Sequence, residues 1–205
     1  MEILIKLFGS KQRIHLMRLF FMHKETLFSF EDLQSRTKIR KETLKKDLVW
    51  LLNAEIIKKQ NKKITTPRGA KKVVSVYVLN IKNPFTTELY NMLAARGENE
   101  VSLLKTRFKK AGKIELVIAA GFFIQNNDAR VDLLVVGKNL KKKVLEQEIS
   151  LIESEIGKEL QYGFFETEDF LYRAHMYDKL IRDVIDFPHI KVVDAGVLSK
   201  IPKMS

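Results

Sequence analysis

With 205 residues, 45% of them hydrophobic and 30% charged, the chain has room for one large domain or two small ones and the composition of a packed protein rather than a disordered one. It contains no cysteine, which excludes disulfide staples, thiolate metal sites and cysteine nucleophiles. The net charge of +12 is unevenly spread: residues 1–80 carry 18 Lys/Arg against 7 Asp/Glu, and residues 81–205 carry 19 against 18. A basic front beside a neutral rear points to a polyanionic partner for the front, the plainer alternative being a solvated lysine-rich surface.

In chain order, "MEILIKLFGS" is apolar but interrupted by Glu2 and Lys6, and no cleavage-like segment follows it. No apolar run approaches the roughly 18 residues that span a bilayer, so a soluble, cytoplasmic protein with no membrane contact is expected. Ser10 is placed to cap a helix with Ile14, Met17, Phe20 and Phe21 at helical spacing. Ser29 is placed to cap a second, with Glu31 and Asp32 in the first turn, where carboxylates favour the positive end of the helix dipole. A third helix follows in "RKETLKKDLVWLLNAE", with Leu44, Leu48, Leu51 and Leu52 as its apolar stripe. "IIKKQNKKITT" and "VVSVYVLN" are rich in β-branched residues and read as strands, joined by a hairpin tip at "PRGAKK".

Three helices and then a two-stranded ribbon is the order of a winged helix-turn-helix, whose third helix enters the major groove of DNA while the ribbon touches the backbone or minor groove. A recognition helix must bury one side and present polar and cationic side chains on the other. The leucine stripe and the "RKETLKK" start satisfy both requirements. The expected DNA face is Arg40, Lys41, Thr43, Lys45 and Lys46 on the helix, with Lys62, Lys63, Arg68, Lys71 and Lys72 on the ribbon as phosphate contacts. Trp50 is expected to pack between helix and ribbon. "LFGSKQRIHLMRLFF" and "SFEDLQSRTKIRKETLKKDLVWLLNAEIIKK" resemble bacterial and archaeal winged-helix transcriptional regulators of the ArsR-like type, most closely in the "LFGSK-R" opening and the small residue before "II" at the helix end. The resemblance implies a double-stranded DNA partner and a homodimer on paired half-sites.

Behind this, "NPFTTELYNMLAAR", begun by Pro84, and "EVSLLKTRFKKAG" read as connecting helices. "KIELVIAAG" and "RVDLLVVG" read as buried strands. "KKKVLEQEISLIESEIGKEL" reads as an amphipathic helix with Leu145, Ile149, Ile152 and Ile156 inward, stopped by Gly157. "LQYGFF" is a third strand. "ETEDFLYRAHMYDKLIRDVI" reads as one helix with Phe170, Ala174, Tyr177, Ile181 and Val184 on one side, and "HIKVVDAG" as a last extended piece.

That order resembles the minimal nucleotidyltransferase domain of the polymerase-beta-like superfamily. There a strand ends in Gly-Ser, the next strand carries Asp-x-Asp, the serine holds a nucleotide phosphate and the aspartates hold magnesium. In this chain Gly121 occupies the glycine position, Phe122 replaces the serine, Arg130 replaces the first aspartate and Asp132 occupies the second. Residues two apart on a strand share a face about 7 Å apart, and Asp128 would sit about 13 Å from Asp132 on an extended strand. A guanidinium among the ligands opposes the capture of two divalent cations. A degenerate motif with no catalytic residue is expected, Asp132 pairing with Arg130, a backbone donor or water. His15, His23, His175 and His189 are scattered without ligand spacing, so neither a metal site nor any cofactor is expected.

The expected fold class is α+β: a winged helix-turn-helix over 1–82, connecting helices over 83–112, and a small α/β nucleotidyltransferase-like domain over 113–205. The leading function is a DNA-binding transcriptional regulator whose rear domain serves assembly or sensing. The alternatives are a magnesium-dependent nucleotidyltransferase acting on protein, RNA or a small hydroxyl acceptor, and an adaptor whose front domain binds an acidic protein.

Overall fold

The computed structural model describes residues 2–65, 71–94, 98–126 and 128–201. The chain forms two compact units, Met1–Arg96 with Ile152–Lys158 and Gly97–Leu151 with Glu159–Ser205. Helices and two small sheets are combined, an α+β composition. No helix among the described residues is long and apolar enough to cross a membrane.

In the first unit, helix α1 covers Glu2–Phe8 and helix α2 Lys11–Met22. Ser10 begins α2, its hydroxyl accepting from Arg13 N at 3.2 Å. The stripe expected on α2 is too narrow a description, because every residue from Ile14 to Phe21 is buried. A helix covered all round is a central helix, not a surface one. A short strand β1 (Phe28–Ser29) leads into α3 (Phe30–Thr37), which opens with a reciprocal capping box between Ser29 and Asp32. Lys38, in the left-handed region at φ 55°, ends α3 and turns the chain into α4 (Lys41–Asn53).

Strands β2 (Ile57–Thr65) and β3 (Lys71–Leu79) pair antiparallel in register from Ile57↔Leu79 to Thr65↔Lys71, and β1 adds to β3 with Phe28 opposite Tyr77. Ile14, Met17, Phe20, Leu33, Leu44, Leu51 and Ile57 form the core beneath them. Helix α5 (Thr86–Ala94) belongs to this core through Leu93, with Leu89 and Tyr90 packed against it. The two helices expected as a connector therefore separate, α5 falling in the first unit and α6 (Glu98–Arg107) in the second.

The second unit holds β4 (Lys113–Ala119), β5 (Leu133–Lys138), β6 (Tyr162–Glu166) and β7 (Ile190–Asp194) in the order β6-β5-β4-β7. The β5–β6 pair is parallel, and β4 runs antiparallel to both β5 and β7. Leu116 and Ile118 of β4, with Leu134 and Val136 of β5, share a face with Phe170, Ala174, Ile181 and Val184. Val117, Ala119, Leu133 and Val135, also buried, alternate onto the opposite face. Helix α7 (Lys142–Ile156) buries Leu145, Ile149, Ile152 and Ile156 as expected and stops at Gly157, φ 76°.

The helix expected across 166–185 is two helices, α8 (Thr167–His175) and α9 (Lys179–Asp186). Tyr177 breaks them in the left-handed region at φ 57°, and Asp178 starts α9 by accepting from Leu180 N at 2.9 Å. The break turns Tyr177 out to solvent instead of onto the apolar side.

At the start of α8 the Thr167 hydroxyl donates to Glu115 Oε2 at 2.8 Å, and Lys113 Nζ lies 3.3 Å from Oε1. The Thr167 hydrogen bond, followed by Lys113 and Lys138, holds the Glu115 carboxyl below its ordinary value against the opposing effect of burial. A carboxyl depressed by folding stabilises the protein above its unfolded-state pKa, and that contribution fades as pH falls through the folded value. Thr167→Val should move the Glu115 titration back toward the ordinary range, which a side-chain carboxyl NMR titration reads directly.

Candidate nucleic-acid interface and the loop at Gly121

Helix α4 buries Leu44, Asp47, Leu48 and Leu51, which repeat at helical spacing and turn the other side of the helix to solvent. Arg40, Lys41, Lys45 and Lys46 are exposed on that side, and Thr43 is half-buried at its margin. Leu52, expected in the stripe, is only partly buried.

A buried aspartate on an otherwise leucine-lined side calls for a partner, which is Arg13 of α2. Arg13 Nη2 and Nε lie 2.9 and 3.0 Å from Asp47 Oδ1, and Nη1 donates to the Phe8 carbonyl at 2.6 Å. The guanidinium also sits 4.3 Å above the Trp50 ring, which meets Phe8 edge-on at 6.4 Å. Trp50, partly buried, thus packs against Phe8 of α1 and Arg13 of α2. One arginine ties α1, α2 and α4 together and fixes the position of the cationic helix.

On the ribbon Lys62, Lys63, Lys71 and Lys72 are exposed, as are Lys58 and Lys59 nearer its base. Arg68 lies outside the described residues. The register places Lys62 opposite Val74 and Lys72 opposite Ile64 on one face, with Lys63 opposite Val73 and Lys71 opposite Thr65 on the other. The ribbon cations therefore divide between its two faces and do not form a single row. Among the described residues no carboxylate pairs with any of the exposed helix or ribbon cations named here. Glu42 is exposed in the first turn of α4, and the cations of the helix and the adjoining ribbon outnumber it, a balance suited to a phosphodiester backbone.

The segment at Gly121 is built differently from a strand and its approach. Residues Gly121–Ile124 form a 3-10 turn, and β5 starts at Leu133, so Arg130 and Asp132 precede the strand and are not paired across its face. Asp132 is buried. Its Oδ1 accepts from Phe122 N at 2.6 Å and its Oδ2 from Gln161 N at 2.9 Å. Of the three partners weighed for Asp132, the backbone donors are the ones it takes. Gly121 passes so close, at φ 46°, that a Cβ there would run into the Asp132 carboxylate. The Phe122 ring is buried beside Phe123.

Arg130 turns instead to α9, where its Nε lies 2.9 Å from Asp183 Oδ2; the approach is an ion pair by proximity, without hydrogen-bond alignment. Asn126, Asp128, Ala129, Arg130, Asp183 and Phe187 line a cleft of about 190 Å³. The Asp128 N–H donates to Asn126 Oδ1 at 3.0 Å.

Magnesium seeks several oxygens in near-octahedral array. Asp132 gives both oxygens to amides, and the position expected to supply a second carboxylate carries a guanidinium engaged elsewhere, so these residues do not fit a two-metal site. No group of three or more His, Asp or Glu side chains among the described residues is placed to hold a metal ion. Sequence reasoning missed Asp47 and Asp183. Their common signal is an acid interrupting an apolar helical stripe, Asp47 beside Leu48 and Asp183 beside Val184. Comparison with known proteins finds no matching family model, no matching curated protein and no matching solved structure.

Proposed function

We propose that the protein is a cytoplasmic DNA-binding transcriptional regulator. In this reading residues 1–82 act as a winged helix-turn-helix, and the second unit is a catalytically inactive nucleotidyltransferase-like domain serving assembly or sensing. The observation that carries the reading is the exposed array of Arg40, Lys41, Lys45 and Lys46 on α4 with the lysines of the β2–β3 ribbon, none of them in an ion pair among the described residues. Helix α4, held by Arg13, supplies the rigid element that would enter the major groove, and the ribbon supplies phosphate contacts. For the second unit the support is the Gly121 turn and the strand order. The glycine and second aspartate positions are retained for their packing, and the chemistry-bearing serine and first aspartate positions are occupied by Phe122 and Arg130. We place the protein on DNA as a homodimer, in keeping with paired half-sites.

Fluorescence anisotropy with duplex DNA at several salt concentrations tests this. If about 6 phosphates are neutralised per bound unit, log affinity falls against log salt with a slope near −5. The Lys45→Ala, Lys46→Ala double variant should weaken binding and flatten the slope by about 2, roughly one unit of slope for each phosphate left without its lysine. Absence of binding by the wild-type chain at low salt defeats the proposal, and an unchanged slope in the variant assigns the wrong face.

A further inference from the structure

The near-zero charge of the rear of the chain conceals a segregation that the fold creates. Lys109 and Lys110 close the 3-10 turn after α6, and Lys113 opens β4. Lys138 closes β5 directly opposite Lys113, and Lys141–Lys143 lead into and begin α7. The Lys141 amide donates to the Ala111 carbonyl at 2.7 Å, so the segments 109–113 and 138–143 lie side by side at one end of the sheet. All seven of these lysines are exposed.

Little at this end neutralises them. Glu115 is engaged by Thr167 and Lys113. Glu166 accepts from Asn139 N through Oε2 at 3.0 Å and from Leu140 N through Oε1 at 2.8 Å. Lys109, Lys110, Lys138, Lys141, Lys142 and Lys143 form no ion pair among the described residues. Two features of the arrangement also work against stability. Lys113 and Lys138 are like charges in a directly opposed cross-strand pair, their repulsion offset only in part by the single carboxylate of Glu115. Lys142 and Lys143 stand in the first turn of a fifteen-residue helix, where the dipole disfavours cations. Repulsion accepted at two independent places on one surface is relieved when an extended anion lies across it.

We propose that this lysine-lined end of the second unit is a second polyanion-binding surface, and that its partner is the phosphodiester backbone of double-stranded DNA. The identity of the polyanion rests on the DNA-binding reading of the first unit, whereas the surface itself rests on the second unit alone. Each lysine on a phosphate displaces condensed counterions, so the surface contributes to the salt dependence of binding without reading sequence.

The test uses the full chain, a fluorescein-labelled duplex and two variants, K110Q/K138Q/K142Q/K143Q and the front variant K45A/K46A. The rear variant should reduce the salt slope by about 3.6, and K142Q/K143Q alone by about 1.8, each phosphate that goes unneutralised removing about 0.9 of slope. The thermal midpoint of the rear variant should stay level or rise, since like-charge repulsion is removed. A wild-type slope in a folded rear variant overturns this inference and leaves the first-unit reading standing. Loss of binding in the rear variant with none in the front variant keeps this inference and overturns the first-unit reading. Unchanged duplex binding by the rear variant, with lost binding to single-stranded RNA or to vesicles of anionic phospholipid, overturns DNA as the partner.

Discussion

Arg13→Met should lower the stability of the first unit by about 3–5 kcal/mol, the usual cost of removing one partner from a buried ion pair. The cost arises because Asp47 is 2% exposed and its Oδ2 already lacks a hydrogen bond, so without the guanidinium an uncompensated carboxylate is left in the core. The chain's single tryptophan, Trp50, lies against Arg13, so its fluorescence during urea unfolding reports on this unit. Arg13→Met with Asp47→Leu should recover most of the loss, because a buried pair replaced by apolar side chains of similar volume is often close to neutral. Strict additivity of the two changes would show that the residues do not act together. The double variant should also keep its DNA affinity if α4 returns to place, which separates the positioning of α4 from its surface chemistry.

Asp132→Ala should destabilise the second unit by about 2–4 kcal/mol, since it strands the buried Phe122 amide at a cost of about 1–3 kcal/mol and takes the acceptor from the part-buried Gln161 amide at a smaller one. Amide hydrogen exchange would locate the effect, with protection lost first at Phe122, Gln161 and the start of β5. A residue kept only for magnesium would behave in the opposite way, its removal relieving charge repulsion and leaving stability level or improved. Calorimetry of the wild-type chain with magnesium and a nucleoside triphosphate should give no binding heat. Magnesium-dependent binding would restore the enzyme reading that Phe122 and Arg130 speak against.

Much of the first unit is legible because its signals are local. Ser10 and Ser29 cap helices by short-range hydrogen bonds, the leucine spacing of α4 survives folding, and the β-branched strands pair in the expected hairpin. Features that depend on distant partners are not legible. The all-round burial of α2 from Ile14 to Phe21 follows from elements packed round it, and no periodicity within α2 announces that. The Arg13–Asp47 pair joins residues far apart in sequence. In the second unit, the break at Tyr177 overrides an apolar pattern that continues through it. Asp178, a strong helix-starting residue, is the available clue. Arg130 and Asp132 look like strand neighbours because the β-branched run includes Val131, but the turn at Gly121 and the two amides on Asp132 delay the strand to Leu133. Summing charge along the chain hides the lysine-lined end, since pairing β4 with β5 brings together cations that the sequence separates.

DNA recognition by the first unit is tested head-on by an amide NMR titration of the full chain with a short duplex. Shift changes should concentrate at residues 40–46 of α4 and on both faces of the β2–β3 ribbon, with the buried face of α4 unaffected. Changes confined to other surfaces of the first unit, or none at saturating duplex, would contradict DNA binding through α4 and the ribbon.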